Sequence, residues 1–93
     1  MTATGRVAAS IREKLTREFG PNQLEILDES DLHAGHQGHR PGGETHFRVS
    51  IVSDAFVGKR PIERHRMVNR ALSEELRDRV HALAITARVP GEE

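Results

Sequence analysis

The chain has 93 residues, with fourteen basic side chains, fourteen acidic side chains and no cysteine. This length predicts a single domain over residues 1–93. The balanced charge argues against a global field that would attract nucleic acid or anionic membrane, and the lack of cysteine excludes disulfides, thiolate metal sites and cysteine nucleophiles. A metal site would therefore need histidine or carboxylate ligands, or sulfur from a partner.

The first predicted element is an amphipathic helix. Its apolar residues recur at a spacing that places them on one face, namely Val7, Ile11, Leu15 and Phe19. Gly20 suits the position after the last helical turn, and Pro21 cannot continue the helix.

Two strands are predicted next, separated by a long loop. Leu24 and Ile26 alternate with other residues in the first strand. In the second strand Phe47, Val49 and Ile51 alternate with a set that includes His46, and this alternation predicts that His46 faces outward.

A second helix should begin at Pro61, with its core-facing stripe formed by Ile62, Val68, Leu72 and Leu76. The final segment "VHALAITA" predicts a strand in which His81 is buried with Leu83 and Ile85. A strand, helix and strand in succession favour a right-handed crossover and parallel pairing. The pattern therefore predicts an α+β fold of order α-β-β-α-β, with a mixed three-stranded sheet and the helices on one face.

The loop between the first two strands lies in "DESDLHAGHQGHRPGGETHF", where His33, His36 and His39 recur every third residue. This segment is either a metal-binding cassette or a polar loop that is rich in imidazole. Its glycines and Pro41 argue against a helix, so the spacing alone is weak support for a metal site.

His65 lies near the start of the second helix, at the edge of the apolar stripe. The positive end of a helix favours the neutral imidazole, whose lone pair can ligate a metal. The alternative is a core histidine whose ring N–H donates a hydrogen bond to a backbone carbonyl.

Basic residues cluster around the same helix: Lys59, Arg60, Arg64, Arg66 and Arg70. This cluster could contact a phosphate or a carboxylate-bearing partner, or it could be a solvated face with interleaved acids. The chain has no motif that places a nucleophile beside a base and no nucleotide-binding fingerprint, so we do not expect an enzyme.

Four segments occur in a fixed order along the chain: "DES", "GETHFRVSIVSDAFVGK", "RHRMVN" and "VHALAI". With them the chain resembles the BolA family over about Ile11 to Pro90. The chain is most similar to the members with a histidine in the first loop, which are bacterial BolA and its mitochondrial counterparts. The resemblance implies a fold related to class II KH domains.

The resemblance also implies a partner and a cofactor. Members of this family bind monothiol glutaredoxins and share a bridging [2Fe-2S] cluster with the glutaredoxin cysteine and glutathione, in iron-sulfur cluster trafficking or assembly or in iron sensing. By this resemblance the ligands from this chain are His65 and His33, with His36 and His39 as alternative loop ligands. The partner or the glutathione carboxylates would contact Lys59, Arg60, Arg64 and Arg66.

The rival interpretation is a KH-like nucleic-acid-binding transcriptional regulator of stress response and cell morphology. The sequence supports it less, since aromatic residues are scarce and the GxxG loop of KH domains is absent around Gly58. We expect a free protein that is monomeric and does not associate with membranes. Its expected location is the cytoplasm in a bacterium, or the mitochondrial matrix in a eukaryote.

Overall fold

A computed structural model describes residues 5–30 and 43–92 of the chain. Its elements are α1 (Arg6–Phe19), β1 (Gln23–Asp28), β2 (His46–Val52), a 3₁₀ turn (Asp54–Phe56), α2 (Pro61–Ala71), α3 (Ser73–Asp78) and β3 (Ala82–Arg88). The predicted α+β order is confirmed, with one difference: the second predicted helix is divided into α2 and α3.

The three strands form one sheet in the order β1-β2-β3. β1 runs antiparallel to β2, with Ile26 opposite Val49, and β3 runs parallel to β2, with Val49 opposite Ile85. The parallel pair follows from the crossover through α2 and α3. The sheet is therefore mixed, as the sequence predicts.

The core lies between the helices and one face of the sheet. Its buried members come from α1, from alternating positions of β1 and β2, from α2, and from the 3₁₀ turn and the residues that flank α3, and they are Ala8, Ile11, Leu15, Ile26, Phe47, Val49, Ile51, Phe56, Val68, Leu72 and Val80. The intervening strand residues form a second face with greater exposure, the open face, which includes Glu25, Arg48 and Ser50.

α1 ends as the sequence predicts. Gly20 adopts a left-handed conformation, with φ 48° and ψ 54°, and its N–H donates to the Thr16 carbonyl at 3.0 Å. Glycine takes this conformation without a steric penalty from a β-carbon, so the chain can turn directly into β1.

α2 begins at Pro61, and the Arg60 N–H donates to the Glu63 carboxylate at 2.9 Å. The predicted stripe on this helix is partly wrong: Ile62 is 54% exposed, whereas Arg64 and Val68 are buried. Residues 64, 68 and 72 are four apart and share a face, so the core-facing row begins with Arg64, and Ile62 lies off that row.

The second helix is interrupted at Leu72, whose backbone has φ −105° and ψ 21°. The Leu72 side chain is buried in the core, and its carbonyl still accepts the Leu76 N–H at 3.0 Å. α3 therefore follows α2 after an interruption of one residue. Over residues 5–30 and 43–92, no helix combines the length and the apolar character needed to cross a bilayer.

Candidate functional site

The base of the histidine-rich loop is held by a network of hydrogen bonds. Asp28 ends β1, and its Oδ1 accepts from the Ser30 backbone N–H at 2.9 Å and from the Ser30 hydroxyl at 2.5 Å. The Ser30 Oγ in turn accepts the Thr45 N–H at 2.9 Å, and Asp28 Oδ2 accepts the Glu44 N–H at 3.0 Å. Ser30 and Thr45 are fully buried. The positions at which the chain leaves β1 and enters β2 are therefore fixed to each other.

The second end of the loop is also attached to α1. Glu44 has a positive φ of 60°, which is unusual outside glycine, and its Oε2 accepts the Ala8 N–H at 3.0 Å. Gly5 lies against this carboxylate, and a β-carbon added to Gly5 would lie 2.3 Å from Glu44 Oε2. Glu44 thus supplies the N-terminal cap that α1 lacks locally, and Gly5 provides the space for it.

The exposure of two histidines beside the loop base could not be read from the sequence pattern. His46 alternates with the core-facing Phe47 and Val49, as predicted, but it is only 5% exposed, so a position on the outer face does not bring it into solvent. Thr45 Oγ1 lies 2.9 Å from His46 Nδ1, and the His46 ring lies 5.3 Å from the ring of His81. Strand alternation cannot anticipate this burial, because it does not report contacts such as those with Thr45 and His81.

His81 is exposed, so its predicted burial is wrong. β3 begins one residue later, at Ala82, and the His81 N–H donates to the Thr45 carbonyl at 2.7 Å. Val80 takes the buried position at this end of the sheet.

His65 lies within the second turn of α2, and its side chain is exposed. This exposure removes the alternative of a core histidine. The described part of the chain provides no hydrogen bond to the imidazole, so the exposed ring is available to an external group. Among the residues predicted as metal ligands, His65 is the one that the structure describes; His33, His36 and His39 lie outside the described residues.

An exposed surface leads into α2 and carries both apolar and basic side chains. Val57 is 63% exposed and Ile62 is 54% exposed. We call the exposed residues Val57, Lys59, Arg60, Ile62 and Arg66 the docking surface. Each lies within eight positions of His65 in the chain. Exposed large apolar side chains with a polar rim are typical of sites where proteins associate.

Arg64, which the sequence groups with these cations, is 8% exposed and is bound within the chain. Its Nε donates to the Lys59 carbonyl at 2.9 Å, and its Nη1 donates to the Ala87 carbonyl at 3.1 Å and to Glu92 Oε1 at 2.6 Å. This guanidinium joins the start of α2 to the end of β3 and to the C-terminal segment. Its hydrogen-bonding capacity is largely used inside the fold.

A second charged network joins α1 to α3. Lys14 Nζ lies 2.8 Å from Glu75 Oε2, and the Ser10 hydroxyl donates to the same oxygen at 2.5 Å. Burial acts to raise the pKa of Glu75, but the hydrogen bonds from Lys14 and Ser10 outweigh it and hold the pKa below its ordinary value. A cleft of about 590 Å³ lies beside this network, and His65 is not among its lining residues.

The described ranges contain no group of three histidine, cysteine or carboxylate side chains arranged to hold a metal ion. His65 therefore has no set of metal ligands around it within residues 5–30 and 43–92. It can supply one ligand, and the rest of a site would come from outside these residues or from a partner.

The chain resembles known proteins over most of its length. A family model described as BolA-like protein matches residues 15–92. The chain belongs to the BolA family. The bovine relative named BolA-like protein 1 is 52% identical over 88 residues, which are 95% of this chain and 62% of the relative. The chain thus spans about 62% of the length of that BolA protein.

Two further comparisons extend the family match. The solved BolA domain of SufE1 from Arabidopsis thaliana has a TM-score of 0.85 and 48% identity, and the alignment covers 95% of this chain and 96% of that domain. A relative from Vibrio cholerae named DNA-binding transcriptional regulator BolA is 47% identical over 75 residues, which are 81% of this chain and 67% of the relative. The BolA fold is confirmed, and the relation to class II KH domains stays a prediction.

Sequence reasoning did not identify the groups that fix the site. The loop base depends on Ser30 and Glu44. Both lie within the family segments "DES" and "GETHF", but the resemblance does not show what either side chain binds. A partial signal existed for Arg64, because it lies four residues before Val68 and eight before Leu72 on the same helical row.

Proposed function

We propose that this BolA chain binds a monothiol glutaredoxin and supplies imidazole ligands to a [2Fe-2S] cluster that bridges the two proteins. His65 is one ligand, and the second is His33, with His36 and His39 as the alternatives in the same loop. The glutaredoxin cysteine and glutathione supply the other ligands. The observation that carries the proposal is the exposed His65 imidazole on α2, which lies one helical turn after the exposed Ile62.

The composition of the chain supports a shared cluster. With no cysteine, the chain has no thiolate to offer, and imidazole can replace thiolate on one iron of a [2Fe-2S] cluster. A partner that provides thiolates completes the ligand set.

The docking surface supports association close to His65. Val57 and Ile62 can be buried against an apolar patch of the glutaredoxin, while Lys59, Arg60 and Arg66 can pair with its carboxylates or with those of glutathione. Arg64 is not part of this surface, because its guanidinium binds Lys59, Ala87 and Glu92 of the same chain.

The proposal is tested by adding the chain to a glutaredoxin that carries a [2Fe-2S] cluster and recording visible circular dichroism. We expect a change of the spectrum that saturates at one chain per cluster and is lost in His65→Ala. His81→Ala is the matched control, since His81 is also exposed and lies outside the docking surface. An unaltered response of His65→Ala would contradict the ligand assignment.

A second candidate function is the transcriptional regulation of stress response and cell morphology through DNA binding. In a bacterium this regulation would take place in the cytoplasm. The name of the Vibrio cholerae relative favours it. The exposed Lys59, Arg66 and Arg70 could contact phosphates, although the net charge of the chain is zero. DNA affinity should then fall steeply with salt, and Arg66→Gln should reduce the salt dependence. Undetectable binding at low salt would exclude this function.

A further inference from the structure

β3 lies at an edge of the sheet, and its hydrogen bonds show which backbone groups point outward. The Arg88 carbonyl accepts the Ser53 N–H at 2.9 Å, and the Ala82 N–H donates to the Thr45 carbonyl at 3.2 Å, so both residues point their backbone groups toward β2. Backbone groups alternate in direction along a strand. The N–H and C=O groups of Leu83, Ile85 and Ala87 therefore point away from the sheet.

The C-terminal end of this edge is capped by the chain itself. Arg64 Nη1 binds the outward Ala87 carbonyl at 3.1 Å. Two residues further on, the Val89 N–H donates to Glu92 Oε1 at 3.3 Å, and the Val89 carbonyl accepts the Glu92 N–H at 3.1 Å. No described residue binds the outward groups of Leu83 and Ile85, so the first half of the β3 edge remains open.

The two edges of the sheet differ in their protection against strand addition. β1 carries carboxylates at Glu25 and Asp28, and charged side chains on an edge strand discourage pairing with another strand. β3 has no charged side chain from Ala82 to Ala87, and the core-facing Leu83 and Ile85 are only partly buried. This uncharged, partly exposed edge can accept a further strand at small electrostatic cost.

We infer that two copies of this chain associate through antiparallel pairing of their β3 strands, about a two-fold axis at Ala84. Leu83 of each copy lies opposite Ile85 of the other, and each such pair exchanges two backbone hydrogen bonds. A register centred on Ile85 would instead require the Ala87 carbonyl, which Arg64 holds.

The side chains of this register are compatible with a second copy. Ala84 meets Ala84 at the axis, where small side chains permit close approach, and Ala82 meets Thr86 beside it. Leu83 and Ile85 cover each other on the core-facing side, so apolar surface that is partly exposed in one copy becomes buried. No two like charges face each other from residue 82 to residue 87. The product is a dimer with a continuous six-stranded sheet. At high protein concentration this dimer replaces the monomer expected from the sequence.

Sedimentation equilibrium of the full chain tests the pairing. The apparent mass should rise with concentration from 10.4 kDa toward twice that value. Ala84→Glu should remain at the monomer mass, because the dimer would place two carboxylates at the axis. Within one copy the new glutamate lies opposite Arg48 in the register of β2 and β3, so the single chain should tolerate it. The matched control is Gln23→Glu on β1, which adds the same charge to the opposite edge and should still associate. A wild-type mass of 10.4 kDa at all concentrations, or association of Ala84→Glu, would overturn the inference.

Amide hydrogen exchange on the wild-type chain gives a test that needs no variant. The Leu83 and Ile85 amides should exchange rapidly in dilute solution and become protected as concentration rises, whereas the Ala84 and Thr86 amides are protected throughout. Rapid exchange of Leu83 and Ile85 at every concentration would also overturn the inference.

Discussion

Replacing Arg64 by methionine tests whether this cation belongs to the fold. Arg64→Met keeps an extended side chain but removes the donors to the Lys59 and Ala87 carbonyls, at 2.9 and 3.1 Å, and to Glu92. A hydrogen bond to a charged group contributes about 1.5–3 kcal/mol. Glu92 is half exposed, so solvent screens its share, and the two carbonyl contacts dominate. We expect the free energy of unfolding to fall by about 2–4 kcal/mol.

The assay is urea denaturation followed by circular dichroism, and the matched control is Arg66→Met on the same helix. Arg66 is exposed and has no ion pair in the described ranges, so its replacement should change the free energy of unfolding by less than about 0.5 kcal/mol. If Arg64→Met and Arg66→Met are equally stable, the internal role assigned to Arg64 is refuted.

Three further predictions concern the loop base, acid stability and docking. Ser30→Ala leaves the buried Thr45 N–H without its acceptor and should lower the free energy of unfolding by about 1–3 kcal/mol in urea titrations, whereas the exposed Ser73→Ala should have little effect. Because the pKa of Glu75 is held below 4.5, its stabilisation is present above pH 4.5 and is lost as the pH falls through the lowered pKa; Glu75→Gln should therefore show a weaker loss of stability in acid, and an equal loss would contradict this role. Ile62→Ser should weaken glutaredoxin binding about tenfold by calorimetry while melting at the wild-type temperature, and unchanged affinity would exclude Ile62 from the docking surface.

The helical and strand elements were predictable because burial imposes a clear period on the sequence. The four-residue spacing of Ile11 and Leu15 and the alternation of Phe47, Val49 and Ile51 mark faces that the structure buries. The turn at Gly20 was predictable for a local reason, since glycine accepts the left-handed conformation observed there.

The features that were missed depend on contacts distant in sequence. The break at Leu72 has no glycine or proline beside it, so no local signal announces it. His46 lies on the face opposite the core and is nevertheless buried, in contact with Thr45 and His81, whereas His81 is exposed although it directly precedes β3. Periodicity reports which face of an element a residue occupies, but it does not report what covers that face or where the element starts.

The candidate site, like the fold, was predictable only in part from the sequence. The sequence singled out His65, and the structure adds that this imidazole is exposed and lies one helical turn after the exposed Ile62. The exposure of Ile62 could not be inferred, because an isoleucine near a helix start fits a core stripe equally well. The internal use of Arg64 depends on Ala87 and Glu92, which are 23 and 28 residues away in the chain.

The central claim is that an imidazole of this chain binds iron, and nitrogen hyperfine spectroscopy tests it most directly. The chain is prepared with ¹⁵N-labelled histidine, mixed with unlabelled glutaredoxin carrying a [2Fe-2S] cluster, and the cluster is reduced and examined by pulsed electron paramagnetic resonance. We predict strong ¹⁵N couplings from ligating histidine, which lose one contribution in His65→Ala and persist in His81→Ala. Spectra that are identical for labelled and unlabelled chains would show that this protein provides no ligand to the cluster.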